Sequence, residues 1–339
     1  MVDAFGFREI EGLSDSIRFA HLSDWHATTL AGAGLALLRG KRVSGWASWG
    51  LNRRRQHDVA ILEAAFEDVR SLGVDRILVT GDLTHVSLES EFKLAAQQLA
   101  ALGPPEDVFL IPGNHDCYVS VPASVSWDHW AAYLAGDELS SLDPELAECL
   151  SAPPGKGLAP RHEDYPTLRI SGGLATIGLC SSIPTPIFRA GGRLGQRQLE
   201  RLERLLVLLG DRGFCRVVMI HHPVAAKGEP SRRALWDGEA LRGVLARAGA
   251  ELVLHGHKHR RRINRVPGPR SEIPIIGVPS SSEVGSKPDK MAQYHVYTAT
   301  PRESEEPGRP RFELHAEIRG YDFARREFGR VEEALVVEP

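Results

Sequence analysis

Short apolar runs recur along the chain, and each ends in a polar cluster. Ile17–Leu22 runs into Ser23-Asp24-Trp25-His26, Arg76–Thr80 into Gly81-Asp82, and Val108–Ile111 into Pro112-Gly113-Asn114-His115-Asp116. Leu174–Leu179 precedes Ser181-Ser182-Ile183-Pro184, Val217–Ile220 precedes His221-His222-Pro223, and Leu252–Leu254 precedes His255-Gly256-His257-Lys258-His259. Runs of this length, bounded by Gly, Pro and polar residues, predict buried strands. Between them lie segments of helical period. Val59, Leu62, Phe66, Val69 and Leu72 share one face over Gln56–Leu72, and Leu199, Leu202, Leu206 and Leu209 share one over Gln196–Leu209. Further helices are expected over Leu88–Leu102 and Gly238–Ala248. Strand, helix, strand in alternation predicts an α/β fold on a largely parallel sheet. Ligands of such sheets bind beyond the carboxyl ends of the strands, which is where the polar clusters fall.

Three stretches depart from this rhythm. Ile273–Val278, Tyr294–Thr298 and Phe312–Ile318 alternate like antiparallel strands and suggest a second sheet built from late elements. Leu30–Arg55 combines Gly and Leu with Trp46, Trp49 and Arg53-Arg54-Arg55. A helical insertion packing its Trp residues is the preferred reading; Trp with Arg also suits a substrate-covering element or a peripheral membrane contact. Tyr118–Pro166 reads as an excursion, with a helix around Val125–Leu134 and a loop from Ala152, that either caps the site or packs peripherally. No repeat or domain boundary is visible, so a single domain over 1–339 is expected.

Composition adds exclusions. With 339 residues, 42% hydrophobic and 25% charged, the chain is that of an ordinary globular protein. A net charge of -3 argues against a protein that coats nucleic acid through bulk charge. Cys117, Cys149, Cys180 and Cys215 are scattered without a CxxC pair, which reads as reduced thiols in a cytoplasmic setting. Cys117 reads as a packing residue. Nothing in the sequence fixes an oligomeric state.

The chemistry lies in the strand exits, which together offer Asp24, His26, Asp82, Asn114, His115, His221, His257 and His259. Oxygen donors mixed with imidazoles suit Mn²⁺, Fe or Zn²⁺, and no thiolate set marks a structural zinc. One ion cannot use so many ligands and keep a position for substrate; two ions sharing a carboxylate can. Such a pair clamps the attacking and leaving oxygens of an in-line phosphoryl displacement and makes hydroxide available near neutral pH. Of the adjacent pair His221 and His222, strand alternation lets only one face a site, with His222 in reserve.

The blocks Asp24-Trp25-His26, Gly81-Asp82, Gly113-Asn114-His115-Asp116, His221 and Gly256-His257-Lys258-His259 stand in the order of the calcineurin-like metallophosphoesterase superfamily, which this chain resembles. The resemblance implies a four-layer α/β/β/α sandwich of two mixed β-sheets. It also implies that Asp24, His26 and His259 hold a first metal, that Asp82 bridges, and that Asn114, His221 and His257 complete a second. His115 would act on the substrate phosphate and the leaving oxygen, with Asp116 orienting it. His85 stands where purple acid phosphatases carry a Tyr ligand, and Gly81-Asp82-Leu83-Thr84 departs from the protein Ser/Thr phosphatases. The block style is nearer to bacterial cyclic-nucleotide and glycerophosphodiester phosphodiesterases. The expected activity is hydrolysis of a small phosphodiester. The alternatives are a pyrophosphate hydrolase for a nucleotide-sugar or lipid-linked substrate, or a non-catalytic scaffold on the same fold; a nuclease lacks any DNA-binding extension. Arg260-Arg261-Arg262 reads as a solvated basic turn, with a second substrate phosphate as the sharper reading.

Overall fold

A computed structural model describes residues 16–26, 30, 34, 39–51, 56–137, 143–224, 230–285, 290–302 and 311–337. Strands β1 (Ile17–Leu22), β2 (Arg76–Val79) and β3 (Val108–Leu110) lie parallel, linked by helices α2 (Val59–Ser71) and α3 (Glu89–Leu102). Helix α1 (Lys41–Leu51) precedes α2. The excursion contributes one helical turn, α4 (Ala131–Leu134), and a short helix, α5 (Pro144–Cys149). Strands β4 (Thr167–Ser171), β5 (Leu174–Gly178), β6 (Cys215–Met219), β7 (Leu252–His255), β8 (Arg262–Pro267) and β9 (Glu272–Gly277) form a second sheet in the order β4-β5-β6-β7-β9-β8. Its crossovers are α6 (Gln196–Asp211) and α7 (Gly238–Ala248).

The late strands do not build a sheet of their own. β10 (Gln293–Arg302) pairs antiparallel with β1, and β11 (Arg311–Asp322) and β12 (Glu327–Val337) extend the same sheet, in the order β12-β11-β10-β1-β2-β3. The second sheet is instead the middle of the chain, and only β9 of the three alternating runs joins it, parallel to β7. Alternation predicts a half-buried strand; it carries no information about the partner.

Side-chain alternation divides the interior into three apolar layers, which makes four layers of structure. From β1 to β3, Ala20, Leu22, Ile77, Val79, Val108 and Leu110 face α2 and α3, whereas Phe19, Leu78, Phe109 and Ile111 face the second sheet. From β6, Val217 and Met219 meet them, while Val218 and Ile220 turn to the leucines of α6 and α7. Both sheets are thus buried on two faces, as near-continuous apolar runs require. The two sheets are also tied at their margins by arginine. Arg169 on β4 donates to the carbonyls of Val108, Pro105, Ala132 and Ala135, and Arg265 on β8 donates to Val336 O on β12.

The excursion is mostly wall. Trp130 packs on Phe92 with ring centroids 4.8 Å apart and donates to its carbonyl, and Leu146 and Cys149 join the core under α6. Two 3₁₀ turns and α4 replace the helix expected around Val125–Leu134. Among the described residues no helix is long and apolar enough to cross a membrane.

Two stability measurements follow. Truncating Arg169 in Arg169→Leu leaves four main-chain carbonyls without their donor, and should lower unfolding free energy by about 2–4 kcal/mol in urea titrations. His295 is buried on β10, and burial, reinforced by Arg261, pushes its pKa down to about 3. The unfolded chain takes up this proton below its ordinary pKa of about 6.5 while the folded chain does not. Stability should therefore fall as pH drops from about 6.5 toward 3, and His295→Gln should decline less steeply by up to about 1.4 kcal/mol per pH unit.

Candidate metal centre

All five exits that carried the expected residues converge at one end of the two sheets. Asp24 and His26 follow β1, Asp82 follows β2, Asn114 and His115 follow β3, His221 follows β6, and His257 and His259 follow β7. The strands do not aim these side chains by simple alternation. Asp24, His26, Asp82, His257 and His259 all have positive φ, between 41° and 70°. Left-handed backbone is costly for residues with a Cβ and collects at functional sites. Among the described residues only Ser87, Phe188 and Arg326 otherwise adopt it without being glycine.

The side chains form overlapping groups. Ligand atoms of Asp24, His26 and His259 lie within 4.8 Å of one another, as do those of Asp82, His221 and His257, and those of His26, Asp82 and His115. Asp82 stands between the first two groups: its Oδ2 is 3.6 Å from His26 Nε2 and 3.3 Å from His221 Nε2. Asn114 Oδ1 faces His257 Nδ1 at 2.6 Å and His221 Nε2 at 3.1 Å. His222 turns elsewhere, to the Ser181 hydroxyl at 2.8 Å and the Ala190 carbonyl at 3.2 Å.

The donor set fits divalent cations. His26 Nδ1 lies 2.8 Å from Thr84 O and His221 Nδ1 2.7 Å from Thr80 O, so each ring turns its Nε2 inward. His26 Nε2 is buried without a hydrogen-bond partner. His221 Nε2 faces two oxygen acceptors, an arrangement that only positive charge among them relieves. The electrostatics agree. Burial opposes charge on His221 and His259, yet Asp82 and Asp24 respectively overcome it and hold both pKa values up to about 9. Burial, with the neighbouring imidazoles, keeps His26 and His257 far below the ordinary histidine value and so neutral.

The supporting contacts differ from expectation at Asp116. Its carboxylate does not touch the His115 ring. It accepts the main-chain N–H groups of Gly113, Asp82, Leu83 and Thr84, at 2.8–3.0 Å, and the Thr84 hydroxyl at 3.1 Å. The turn after Gly113 points Asp116 back under the loop, and His115 Nδ1 is held instead by the His85 carbonyl at 2.6 Å. Burial and the charge of Asp82 push the Asp116 pKa up to about 7, against the pull of those N–H donors. The glycines permit this packing: a Cβ on Gly113 would stand 2.3 Å from Asp82 N, and one on Gly81 2.2 Å from Gly113 N.

Several contributors escaped the sequence reading. Glu283 accepts from His259 Nδ1 at 3.2 Å and from Gln56 at 2.8 Å, fixing the ring whose Nε2 faces Asp24. Its signal is a seventh polar exit, Ser280-Ser281-Ser282-Glu283, after β9. His57 and His85 pack on His26 with ring centroids 5.1 and 5.4 Å away. Cys117 is half-buried and burial pushes its pKa up to about 12, as suits an inert packing thiol. Within the insertion, Lys41–Leu51 is helical. Leu30 and Trp49 pack on Val86 and Leu88, and Arg42 donates to Val86 O and Ser87 O, so α1 braces the loop that carries His85. Arg53, Arg54 and Arg55 lie outside the described residues.

Two cavities open here. One of about 390 Å³ is lined by Asp82, Asn114, His115, His257, His259 and Glu283, with Lys258, Arg260 and Arg262 at its rim. Another of about 300 Å³ lies against Lys41, Tyr118, Phe188, Arg189 and Arg232. His115, Ala190 and Arg233 line both.

Among solved structures, the fold is similar to a dimetal phosphatase from Danio rerio, at 14% identity and a TM-score of 0.51, covering 94% of this chain and 98% of that one. It is also similar to GAP50, the anchor in the inner membrane complex of Plasmodium, at 12% identity and TM-score 0.46, covering 95% and 88%. A 5'-nucleotidase precursor from Thermus thermophilus follows at 15% and 0.43, covering 89% of this chain and 54% of that one. No curated protein matches the sequence. The calcineurin-like phosphoesterase profile matches residues 17–261, a span that holds every residue of the converging exits from Asp24 to His259, and the chain belongs to that family.

Proposed function

We propose that the protein is a two-metal phosphodiesterase acting on a small phosphodiester. The position of Asp82 carries the reading: one buried carboxylate reaches both His26 and His221, as a ligand shared by two ions must. Asp24, His26 and His259 would hold one ion, and Asn114, His221 and His257 the other, with Asp82 common to both. Bound divalent ions would supply Lewis acidity and lower the pKa of a water for attack on phosphorus.

The chain's own residues account for the remainder. His115 lines both cavities, and its Nδ1 is held by the His85 carbonyl, so Nε2 is the nitrogen the ring can turn to a substrate. In hydrolysis the oxygen of a water that gives up a proton bonds to phosphorus, the phosphorus–oxygen bond to the leaving group breaks, and His115, as imidazolium, gives its Nε2 proton to the leaving oxygen. A diester is favoured because space continues on both sides of His115, so a phosphorus seated there can carry two ester arms. The bacterial cyclic-nucleotide and glycerophosphodiester enzymes, which the sequence blocks resemble, supply the substrate class to try first.

Purified with Mn²⁺, the protein should hydrolyse bis-p-nitrophenyl phosphate in preference to p-nitrophenyl phosphate. Asn114→Ala and His115→Ala should each cut diester turnover by about 10²- to 10⁴-fold. A monoester preference would overturn the diesterase assignment. Metal content gives an independent check by mass spectrometry: two ions per chain are expected, and Asp82→Asn should lose at least one. Glu283→Gln should weaken metal affinity by about 10- to 100-fold, because the His259 ring loses its hydrogen-bond acceptor.

A further inference from the structure

Hydrolysis of a phosphodiester accounts for the space of the second cavity but not for its charge. The cavity shares His115 with the metal cavity and is lined by Lys41, Tyr118, Phe188, Arg189, Arg232 and Arg233. Four of these six are cations, and among the described residues no carboxylate lines the space. Lys41 is already occupied: its ammonium lies 4.2 Å over the Tyr118 ring and donates to Thr185 Oγ1 and Arg189 O at 2.8 and 3.1 Å. The three arginines are not. Among the described residues none of Arg189, Arg232 or Arg233 forms an ion pair, whereas Arg204, Arg212, Arg216, Arg247, Arg261 and Arg319 all do. An arginine cluster without an acidic partner among the described residues, beside a metal-ligand cavity, is arranged for an anion from outside.

The aromatic wall narrows the class. Tyr118 stacks on His115 at 5.5 Å with an interplanar angle of 13°. Phe188 also lines the space, 82% exposed and at φ 63°, an apolar ring held out to solvent on costly backbone. A leaving group with an apolar body and an anionic end would meet both the rings and the arginines.

We infer that this cavity is the leaving-group subsite, and that the natural leaving group carries a second negative charge recognised by Arg189, Arg232 and Arg233. The inference rests on the phosphodiesterase reading, and it names the substrate: a phosphodiester or diphosphate whose departing half is itself anionic. Arg189 and Arg232 line this cavity alone and Arg233 joins it to the metal cavity, whereas Lys258, Arg260 and Arg262 line only the metal cavity, together with Asp82 and Glu283.

A pair of esters tests this, methyl 4-carboxyphenyl phosphate and methyl 4-carbamoylphenyl phosphate. They are nearly equal in shape, and the amide has the more acidic phenol, so intrinsic reactivity favours the neutral compound. The Mn²⁺-loaded protein should nonetheless prefer the carboxylate by about 10-fold or more in kcat/KM, through KM, with the preference shrinking at high salt. Arg189→Ala/Arg232→Ala should collapse the carboxylate-to-amide ratio, and Arg189→Lys/Arg232→Lys should restore part of it. These arginines are exposed, so the variants should fold, and circular dichroism verifies it. Equal kcat/KM for the two esters, or a ratio indifferent to the alanine variant, would overturn the subsite and leave the diesterase reading standing. Hydrolysis of p-nitrophenyl phosphate with neither diester cleaved would overturn both.

Discussion

One buried carboxylate holds the candidate centre together, and it touches neither the metal-facing atoms nor the substrate cavity. Asp116 gathers four main-chain N–H groups from two loops, the one after β2 and the one after β3. Asp82 and Asn114 ride on those loops, so the spacing between this carboxylate and this amide is fixed by hydrogen bonds to a third residue. Charge-assisted bonds of this kind are each stronger than ordinary ones, and burial makes their loss costlier still. Glu91 repeats the device one step farther out, accepting from the N–H groups of His85, Val86 and Leu88. His85 in turn fixes His115. His115 is therefore placed through a chain of main-chain contacts beginning in the core.

Such anchoring is what allows the strained backbone to persist. A non-glycine residue in the left-handed region costs about 1 kcal/mol, and five cluster here. Each loop is tied across to its neighbour: Asp24 N–H donates to Gly81 O, His26 N–H to Asp82 O, and His257 N–H to the Asp24 carboxylate. The exits of β1, β2 and β7 consequently behave as one network. A sharp backbone turn after each strand brings side chains from two sheets to a common centre, which straight strands could not do.

This explains what could be read from the sequence and what could not. The strands were legible because they are buried on both faces and so appear as unbroken apolar runs, and the site was legible because those runs end in ligand residues. β8 and β12 escaped notice as edge strands whose polar residues interrupt the apolar pattern, as in Arg262, Asn264 and Arg265 or Glu332 and Glu333. The sheet to which β10 belongs was not legible because its partner β1 lies far back in the sequence, and alternation is silent on pairing. Asp116 misled for a local reason. An Asp directly after a His reads as its orienting partner, but adjacent residues on a turn point apart, and three of the four main-chain hydrogen bonds that capture Asp116 come from residues over thirty positions away.

Charge distribution follows the same division of labour. The net charge of -3 argues against a polyanion-coating protein, yet it averages over a cleft in which, among the described residues, buried carboxylates line only one end. At the metal end Asp24, Asp82 and Glu283 are buried among imidazoles, and their demand for positive charge is met at the centre itself. At the other end arginines face solvent without acidic partners among the described residues. An anionic substrate entering between them meets attraction from both ends, but of different kinds: short-ranged at the ligand set, and longer-ranged and salt-sensitive at the arginine wall. Orientation follows from that difference. The group able to displace or share metal ligands must go to the buried end, and a charge that can only be hydrogen-bonded belongs at the exposed one.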